Sequence, residues 1–173
     1  MQPSTPPDPT RRTGRAFAWI AWLLALGLLY MFFDEQLAQQ VNPNQHLDSV
    51  QRAGKVEVVL EANRAGHYVA SGTINRQPVV FLLDTGATQV AIPLAVAEQL
   101  NLQLQGEVRV QTANGVARAY QTQLDSLTLG AIELRNVDAT VVPGMGMSQI
   151  LLGMSALKQV EFSQRNQTLT IRY

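Results

Sequence analysis

The sequence predicts a closed, mostly β domain preceded by one transmembrane helix. From Gly54 onward, short apolar or alternating runs are separated at frequent intervals by Gly, Asn and Pro, a pattern typical of small all-β folds. Before them lies an eighteen-residue stretch without a charge, residues 16–33. The 173 residues are enough for one modest domain and an appendage.

The uncharged stretch reads AFAWIAWLLALGLLYMFF, and as a helix it would be about 27 Å long, close to the thickness of a bilayer core. Arginines precede it and Asp34 and Glu35 follow it, so the positive-inside rule places the N-terminus in the cytoplasm. A cleaved signal peptide is the alternative, but Tyr30–Phe33 lacks the small residues of a cleavage site. We expect an uncleaved single-pass anchor in the inner (cytoplasmic) membrane, with the later domain in the periplasm.

The predicted anchor divides the chain into four segments. Residues 1–15 are expected to form a disordered cytoplasmic tail, and residues 16–33 the transmembrane helix. Residues 34–53, rich in Gln and Asn, are expected to form an extracytoplasmic tether with some helix at 36–41. Residues 54–173 are expected to form the folded domain.

Within that domain the alternation of residues predicts two tight hairpins. Asn75-Arg76 separates the strands at 67–74 and 77–83, and Asn114-Gly115 separates those at 107–113 and 116–123. Further strands are predicted at 55–60, 124–129, 137–142, 161–163 and 168–171. Short helices are predicted at 93–100 and 154–158.

Composition excludes several classes of function. The chain has no cysteine, so thiolate metal sites and cysteine catalysis are excluded. Thirteen basic and thirteen acidic residues balance, which argues against a nucleic-acid partner. His46 and His67 lie far apart in different contexts, so no metal site and no cofactor are predicted.

The most informative motif is Asp84-Thr85-Gly86-Ala87-Thr88, which follows the apolar run 79–83. A carboxylate at the end of a buried strand needs hydrogen-bond donors, or a second carboxyl group with which to share a proton. Thr85 supplies a hydroxyl, and Gly86 lets a backbone N–H turn towards the carboxylate. Asp-Thr-Gly is also an ordinary strand-to-turn sequence, so the motif alone leaves a structural role open.

The motif resembles that of the retropepsin-like aspartyl proteases, and Leu152-Gly153-Met154-Ser155 resembles the corresponding segment of their membrane-anchored bacterial members. Two later features fall in the family's order: the Asn114-Gly115 hairpin at the place of the flap, and Ile150–Gly153 at the place of a second apolar-glycine motif beside the catalytic loop. The resemblance covers roughly residues 66–173. It implies a single-lobed acid-protease β-barrel with one or two short helices, in which Asp84, Thr85 and Gly86 form the catalytic site.

Aspartic-protease chemistry needs two carboxyl groups that share a proton, and this chain has one Asp-Thr-Gly. Asp125 and Asp138 lack the hydroxyl-glycine context, so a second copy must supply the other Asp84, as in a two-fold homodimer. The resemblance assigns Thr85 to a reciprocal hydrogen bond across that axis. We therefore expect a membrane-anchored homodimeric endopeptidase that acts on protein or peptide substrates.

Two other functions stay open from the sequence. One is a catalytically inactive peptide-binding or envelope-assembly module of the same fold, and the other is a small β-barrel that binds a small ligand. Met145 and Met147, which alternate with Gly144 and Gly146, either line a substrate groove with adaptable thioethers or belong to a mobile loop.

Overall fold

A computed structural model describes residues 9–52, 54–112 and 115–173 of the chain. It divides into two compact units, Met1–Ala38 and Gln39–Tyr173. Helix α1 spans Pro9–Val41. Its part from Phe17 to Val41 has a mean hydropathy of 1.8 and no buried residues, which satisfies the length and composition of a membrane-crossing helix.

The helix is longer than the sequence predicts at both ends. It begins inside the predicted disordered tail, of which residues 1–8 lie outside the described part of the chain, and it ends inside the predicted tether. The second unit begins at Gln39 rather than at Gly54. Residues of the predicted tether therefore belong to the β domain.

The junction after the helix is held by two buried asparagines. The Asn44 side-chain amide donates to the carbonyl oxygens of Glu61 and Val69, at 2.9 and 2.7 Å, and its oxygen accepts from the Glu61 N–H at 2.8 Å. Asn42 donates to the Ser71 hydroxyl at 3.0 Å. Because these bonds satisfy backbone groups of two strands, this segment is part of the fold and not a free tether.

The second unit is mostly β, as predicted, with two short helices. The strands are β1 Ser49–Arg52, β2 Lys55–Glu61, β3 Val69–Ile74, β4 Gln77–Leu83, β5 Val90–Pro93, β6 Glu107–Thr112, β7 Gly115–Leu129, β8 Ile132–Val142, β9 Ile150–Leu152, β10 Glu161–Arg165 and β11 Thr168–Arg172. The helices are α2 Leu94–Gln99 and α3 Met154–Leu157.

These strands form two sheets. One has four strands in the order β1-β2-β11-β10, and the other has seven in the order β3-β4-β9-β5-β8-β7-β6. An additional pairing joins β3 to β7, so six strands of the larger sheet pair in a ring. That the domain is a single-lobed β-barrel of the acid-protease type stays a prediction.

The local signals predict most of these elements. Asn75 and Arg76 both have positive φ, 47° and 66°, which is the geometry of a two-residue I′ hairpin turn. At the second hairpin, Thr112 pairs with Gly115, and Asn114 lies outside the described residues. The predicted strands at 116–123 and 124–129 are one continuous strand, β7, because β8 pairs with it from Tyr120 to Leu129.

The core lies inside the strand ring and under the smaller sheet. Its fully buried side chains include Phe81, Leu60, Ile74, Leu124 and Ile150. The apolar run before Asp84 is less buried than predicted: Phe81 is fully buried, whereas Val80 is 36% exposed. The reason is that β4 presents one face to the core, and alternate side chains point away from it.

Candidate active site

Asp84 begins a tight turn directly after β4. Its Oδ1 accepts a hydrogen bond from the Gly86 N–H at 2.8 Å, and its carbonyl oxygen accepts from the Ala87 N–H at 3.2 Å. A Cβ on residue 86 would lie 3.1 Å from that Oδ1, so glycine lets the backbone approach the carboxylate closely. The predicted roles of Asp84 as carboxylate and Gly86 as donor residue are thus compatible with the local geometry.

We call residues 84–89 the catalytic loop, after the loop that this motif resembles in the aspartyl proteases. The segment that begins with Gly153 packs against this loop and donates backbone hydrogen bonds to it. The Met154 and Ser155 N–H groups donate to the carbonyl oxygens of Ala87 and Thr88, at 2.8 and 3.0 Å. A Cβ on residue 153 would lie 2.2 Å from the Gln89 carbonyl oxygen, a distance that only glycine avoids.

The strand before Gly153 completes the support. β9 runs parallel to β4, with Leu83 opposite Leu152, and the Asp84 N–H donates to the Leu152 carbonyl oxygen at 3.2 Å. The second apolar-glycine motif at Ile150–Gly153 therefore lies beside the catalytic loop. This is the position that the family resemblance implied for it.

Ser155 is a residue of this site to which sequence reasoning assigned no role. Its buried hydroxyl accepts from the Val90 N–H at 3.0 Å and donates to the Asp138 carbonyl oxygen at 2.7 Å. It thereby joins the first residue of β5, directly after the catalytic loop, to β8. The only signal in the sequence is a hydroxyl residue two positions after the glycine of the motif, and that signal is too weak to predict the contact.

A groove of about 730 Å³ opens in front of the catalytic loop. The loop forms its floor, with Asp84, Gly86, Ala87, Thr88 and Gln89, and β6 crosses it with residues 108–112. Strand alternation directs Val108, Val110 and Thr112 to the more buried side of β6, whereas Arg109 and Gln111 are exposed. All five residues line the groove, so β6 contributes small apolar and hydroxyl side chains from one face and Arg109 and Gln111 from the other, in the place predicted for the flap.

A second, smaller cavity of about 260 Å³ lies on the other side of Asp84. Thr85, Leu157 and Phe162 line it together with Tyr68, Leu83, Gln164 and Leu169. Thr85 is exposed in the single chain. The hydroxyl predicted to act across a two-fold axis is therefore on the surface, next to the carboxylate.

Among the residues lining the two cavities, Asp84 is the only acid. Asp125 and Asp138 are exposed on β7 and β8 and line neither cavity. Met145 and Met147, and also both histidines, lie outside both linings. The described residues contain no cluster of three or more His, Cys, Asp or Glu side chains that suits a metal ion.

Comparison with known proteins agrees with this geometry. Residues 70–159 match the family described as gag-polyprotein putative aspartyl protease. An uncharacterized protein from the cobV 5′ region of a Sinorhizobium species is 33% identical over 164 residues, which span 89% of this chain and 70% of that protein. The uncharacterized protein RP867 of Rickettsia prowazekii is 31% identical over 107 residues, 60% of this chain and 45% of that protein.

A solved structure shows the same fold. The crystal structure of a retropepsin-like aspartic protease from Rickettsia conorii matches with a TM-score of 0.62 and 26% identity, over 74% of this chain and 96% of that chain. The family match covers the catalytic loop, the flap and the glycine motif. The chain belongs to the retropepsin-like aspartyl protease family.

Proposed function

We propose that this protein is a membrane-anchored, homodimeric aspartic endopeptidase. The observation that carries the proposal is the position of Asp84, held in a fixed turn at the floor of a groove that the β6–β7 hairpin covers. A groove of about 730 Å³ lies in the range of volumes that proteins use to enclose ligands. An extended peptide segment is the substrate that fits between the loop and a β hairpin, because both present backbone groups along their length.

The reaction needs two carboxyl groups with one proton between them. The ionised carboxylate takes a proton from a water molecule, and the protonated carboxyl group donates to the carbonyl oxygen of the scissile peptide bond. Asp84, Thr85 and Gly86 of each copy form one half of this site. The side of Asp84 that faces the smaller cavity is open in the single chain, which leaves space for the second half.

The N-terminal helix supports anchoring in a membrane. Phe17–Val41 has the hydropathy and length of a membrane-crossing helix and is exposed throughout. With arginines before it, the positive-inside rule places the protease domain outside the cytoplasm, in the periplasm of a bacterium with two membranes. Confinement of both copies to one membrane plane raises their effective concentration and favours the dimer.

The test is peptide hydrolysis by the full chain and by its Asp84→Asn form. The amide keeps the shape of the side chain but cannot act as base or share the proton, so hydrolysis of a diverse peptide library should fall by at least about 100-fold. Thermal unfolding of the two forms should be similar. The matched control is Asp125→Asn, an exposed strand residue outside both cavities, which should retain full activity.

Two results would contradict the proposal. Undiminished cleavage by the Asp84→Asn form would exclude Asp84 as the catalytic group. Peptide binding in the groove without cleavage by the wild-type chain would favour the inactive peptide-binding module.

A further inference from the structure

Arg109 is the only cation among the described residues that line the groove in front of the catalytic loop, and Asp84 is the only acid. It lies on β6, on the more exposed face of that strand. The other lining residues are glycine, apolar side chains, and neutral hydroxyl and amide side chains. Apart from the carboxylate of Asp84, the groove therefore carries a single charged group, and that group is positive.

The position of Arg109 on the open edge of the sheet gives a peptide access to it. Within the described residues β6 is the last strand of the larger sheet and pairs with β7 alone. Five consecutive residues of β6, 108–112, line the groove, although their side chains alternate between two faces. The groove therefore runs along the open edge of β6. An extended peptide along such an edge presents every second side chain to the face that carries Arg109.

The neighbours of Arg109 leave its charge without a partner. Arg118 of β7 pairs directly opposite it, and like charges in that position repel each other. Arg118 itself lies 3.6 Å from Glu107, which is on the same face of β6 as Arg109. The side chain of Arg109 forms no ion pair or hydrogen bond within the described part of the chain. A carboxylate from another molecule would supply the missing partner and offset the repulsion from Arg118.

We propose that Arg109 is a specificity-determining residue that binds an Asp or Glu side chain of the peptide substrate. This inference rests on the proposed function, because it names the class of peptide that the same groove selects. A guanidinium group donates two parallel N–H bonds to a carboxylate, and these charge-assisted bonds are stronger than bonds between neutral groups. An amide side chain at that position lacks the charge, and a basic one meets two arginines.

The two faces of β6 also predict what lies next to the acidic residue. Val108 and Val110 line the groove from the opposite face to Arg109, and Val142 and Leu151 add further apolar surface to the groove. Adjacent side chains of an extended peptide point to opposite sides. The preferred segment therefore has an apolar residue directly beside its Asp or Glu.

The test uses two pools of short, end-blocked peptides that differ in one fixed central residue, Glu in one pool and Gln in the other. Binding is measured with the full chain carrying Asp84→Asn, in detergent micelles, and cleavage with the wild-type chain. Because Arg109 is exposed, we expect the Glu pool to bind, and to be cleaved, about threefold better than the Gln pool. Adding Arg109→Gln should abolish the preference, whereas Arg109→Lys should retain part of it because the charge is kept.

Arg118→Gln is the matched control. It removes the same charge from the opposite strand of the same hairpin, at a residue that is exposed and does not line the groove, so the preference for the Glu pool should remain. Added salt should reduce the preference by screening the charges. A purely structural role of Arg109 would change the binding of both pools equally and would not depend on salt in this way.

Each outcome decides the proposal. Equal or undetectable binding of the two pools, a preference unchanged by Arg109→Gln, or its equal loss with Arg118→Gln would overturn it. Binding that needs a free peptide C-terminus and ignores the central residue would assign Arg109 to the terminal carboxylate instead, and would also overturn it. A Glu preference in binding without any cleavage by the wild type would support the role of Arg109 and contradict the proposed function. Cleavage of both pools at equal rates would do the reverse.

Discussion

Two regions face each other across the groove, and they are held in different ways. The catalytic loop is fixed from behind by backbone bonds to Leu152, Met154 and Ser155. The flap, formed by β6 and the first part of β7, is a two-stranded ribbon at the end of the larger sheet, and Val116 near its tip is 67% exposed. The groove therefore has a tightly supported floor and a lightly supported cover.

This difference matches the two tasks of the site. In the proposed mechanism Asp84 meets a second carboxylate and a water molecule. It would then need a fixed position, because small displacements of reacting groups greatly reduce rates. A cover that admits an extended peptide has to open and close, and elements with few buried contacts open at the lowest cost in free energy. Substitutions in the floor should thus affect stability and turnover together, whereas those in the flap should affect substrate binding.

Among these substitutions, the largest combined loss of stability and turnover is expected from Gly153→Ala. This substitution disrupts the packing of the catalytic loop against residue 153. The new Cβ would lie 2.2 Å from the Gln89 carbonyl oxygen and 2.7 Å from that of Ala87, so the catalytic loop must move. We expect a loss of about 1–3 kcal/mol in unfolding free energy and a marked fall in kcat. Gly146→Ala is the control, because a Cβ there meets nothing within 4 Å. Equal stability and activity of the two variants would contradict the tight fit at Gly153.

The next effect is that of Ser155→Ala, which leaves the Val90 N–H and the Asp138 carbonyl oxygen without their hydroxyl partner. An unpaired buried polar group costs about 1–3 kcal/mol, and chemical denaturation measures the loss. We also expect kcat to fall more than KM changes, since the loop position shifts. Ser148→Ala, at an exposed serine, should change neither quantity. A variant with unaltered unfolding free energy would show that this hydroxyl does not hold the loop.

A smaller effect on stability, with a different kinetic signature, is expected in the flap. Val110 lies on the groove side of β6 and lines the groove. Val110→Ala should raise KM roughly threefold to tenfold by removing apolar contact with substrate, and should change stability by about 0.5 kcal/mol or less. The same substitution at Val116, which is 67% exposed on β7 and does not line the groove, should leave KM nearly unchanged. Equal KM values for the two variants would contradict contact between Val110 and the substrate.

The smallest effect concerns an ion pair outside both regions. Lys55 donates to Glu161 at 2.6 Å, and this hydrogen bond, with the charge of Lys55, lowers the pKa of the Glu161 carboxyl group. A lowered pKa in the folded chain stabilises it at pH values above the unfolded value of roughly 4.3, and the contribution is lost as the pH falls through the lowered pKa. Wild type should therefore melt slightly above Lys55→Gln at pH 6, and the two should converge near pH 3. A difference that persists at pH 3 would point to a contribution of Lys55 other than this pair.

The sequence alone determined the features that depend on neighbouring residues. The Asn75-Arg76 turn follows from residues that tolerate positive φ, and the order of Asp84, the flap hairpin and Gly153 along the chain led to the family. It also showed that the chain holds one Asp-Thr-Gly, from which we predicted a homodimer. These signals are local, and a short stretch of sequence contains them completely.

Tertiary structure alone decided the contacts between distant parts of the chain. Ser155 meets Val90 across 65 residues, and Asn44 closes the gap between β2 and β3, which the predicted tether did not suggest. Phe162 of β10 likewise lines the same cavity as Thr85, although the two residues lie far apart in the chain. Small polar residues such as Ser155 and Asn44 have the same local preferences at the surface and in the core. Their hydrogen-bond partners decide their role, and only the fold brings those partners together.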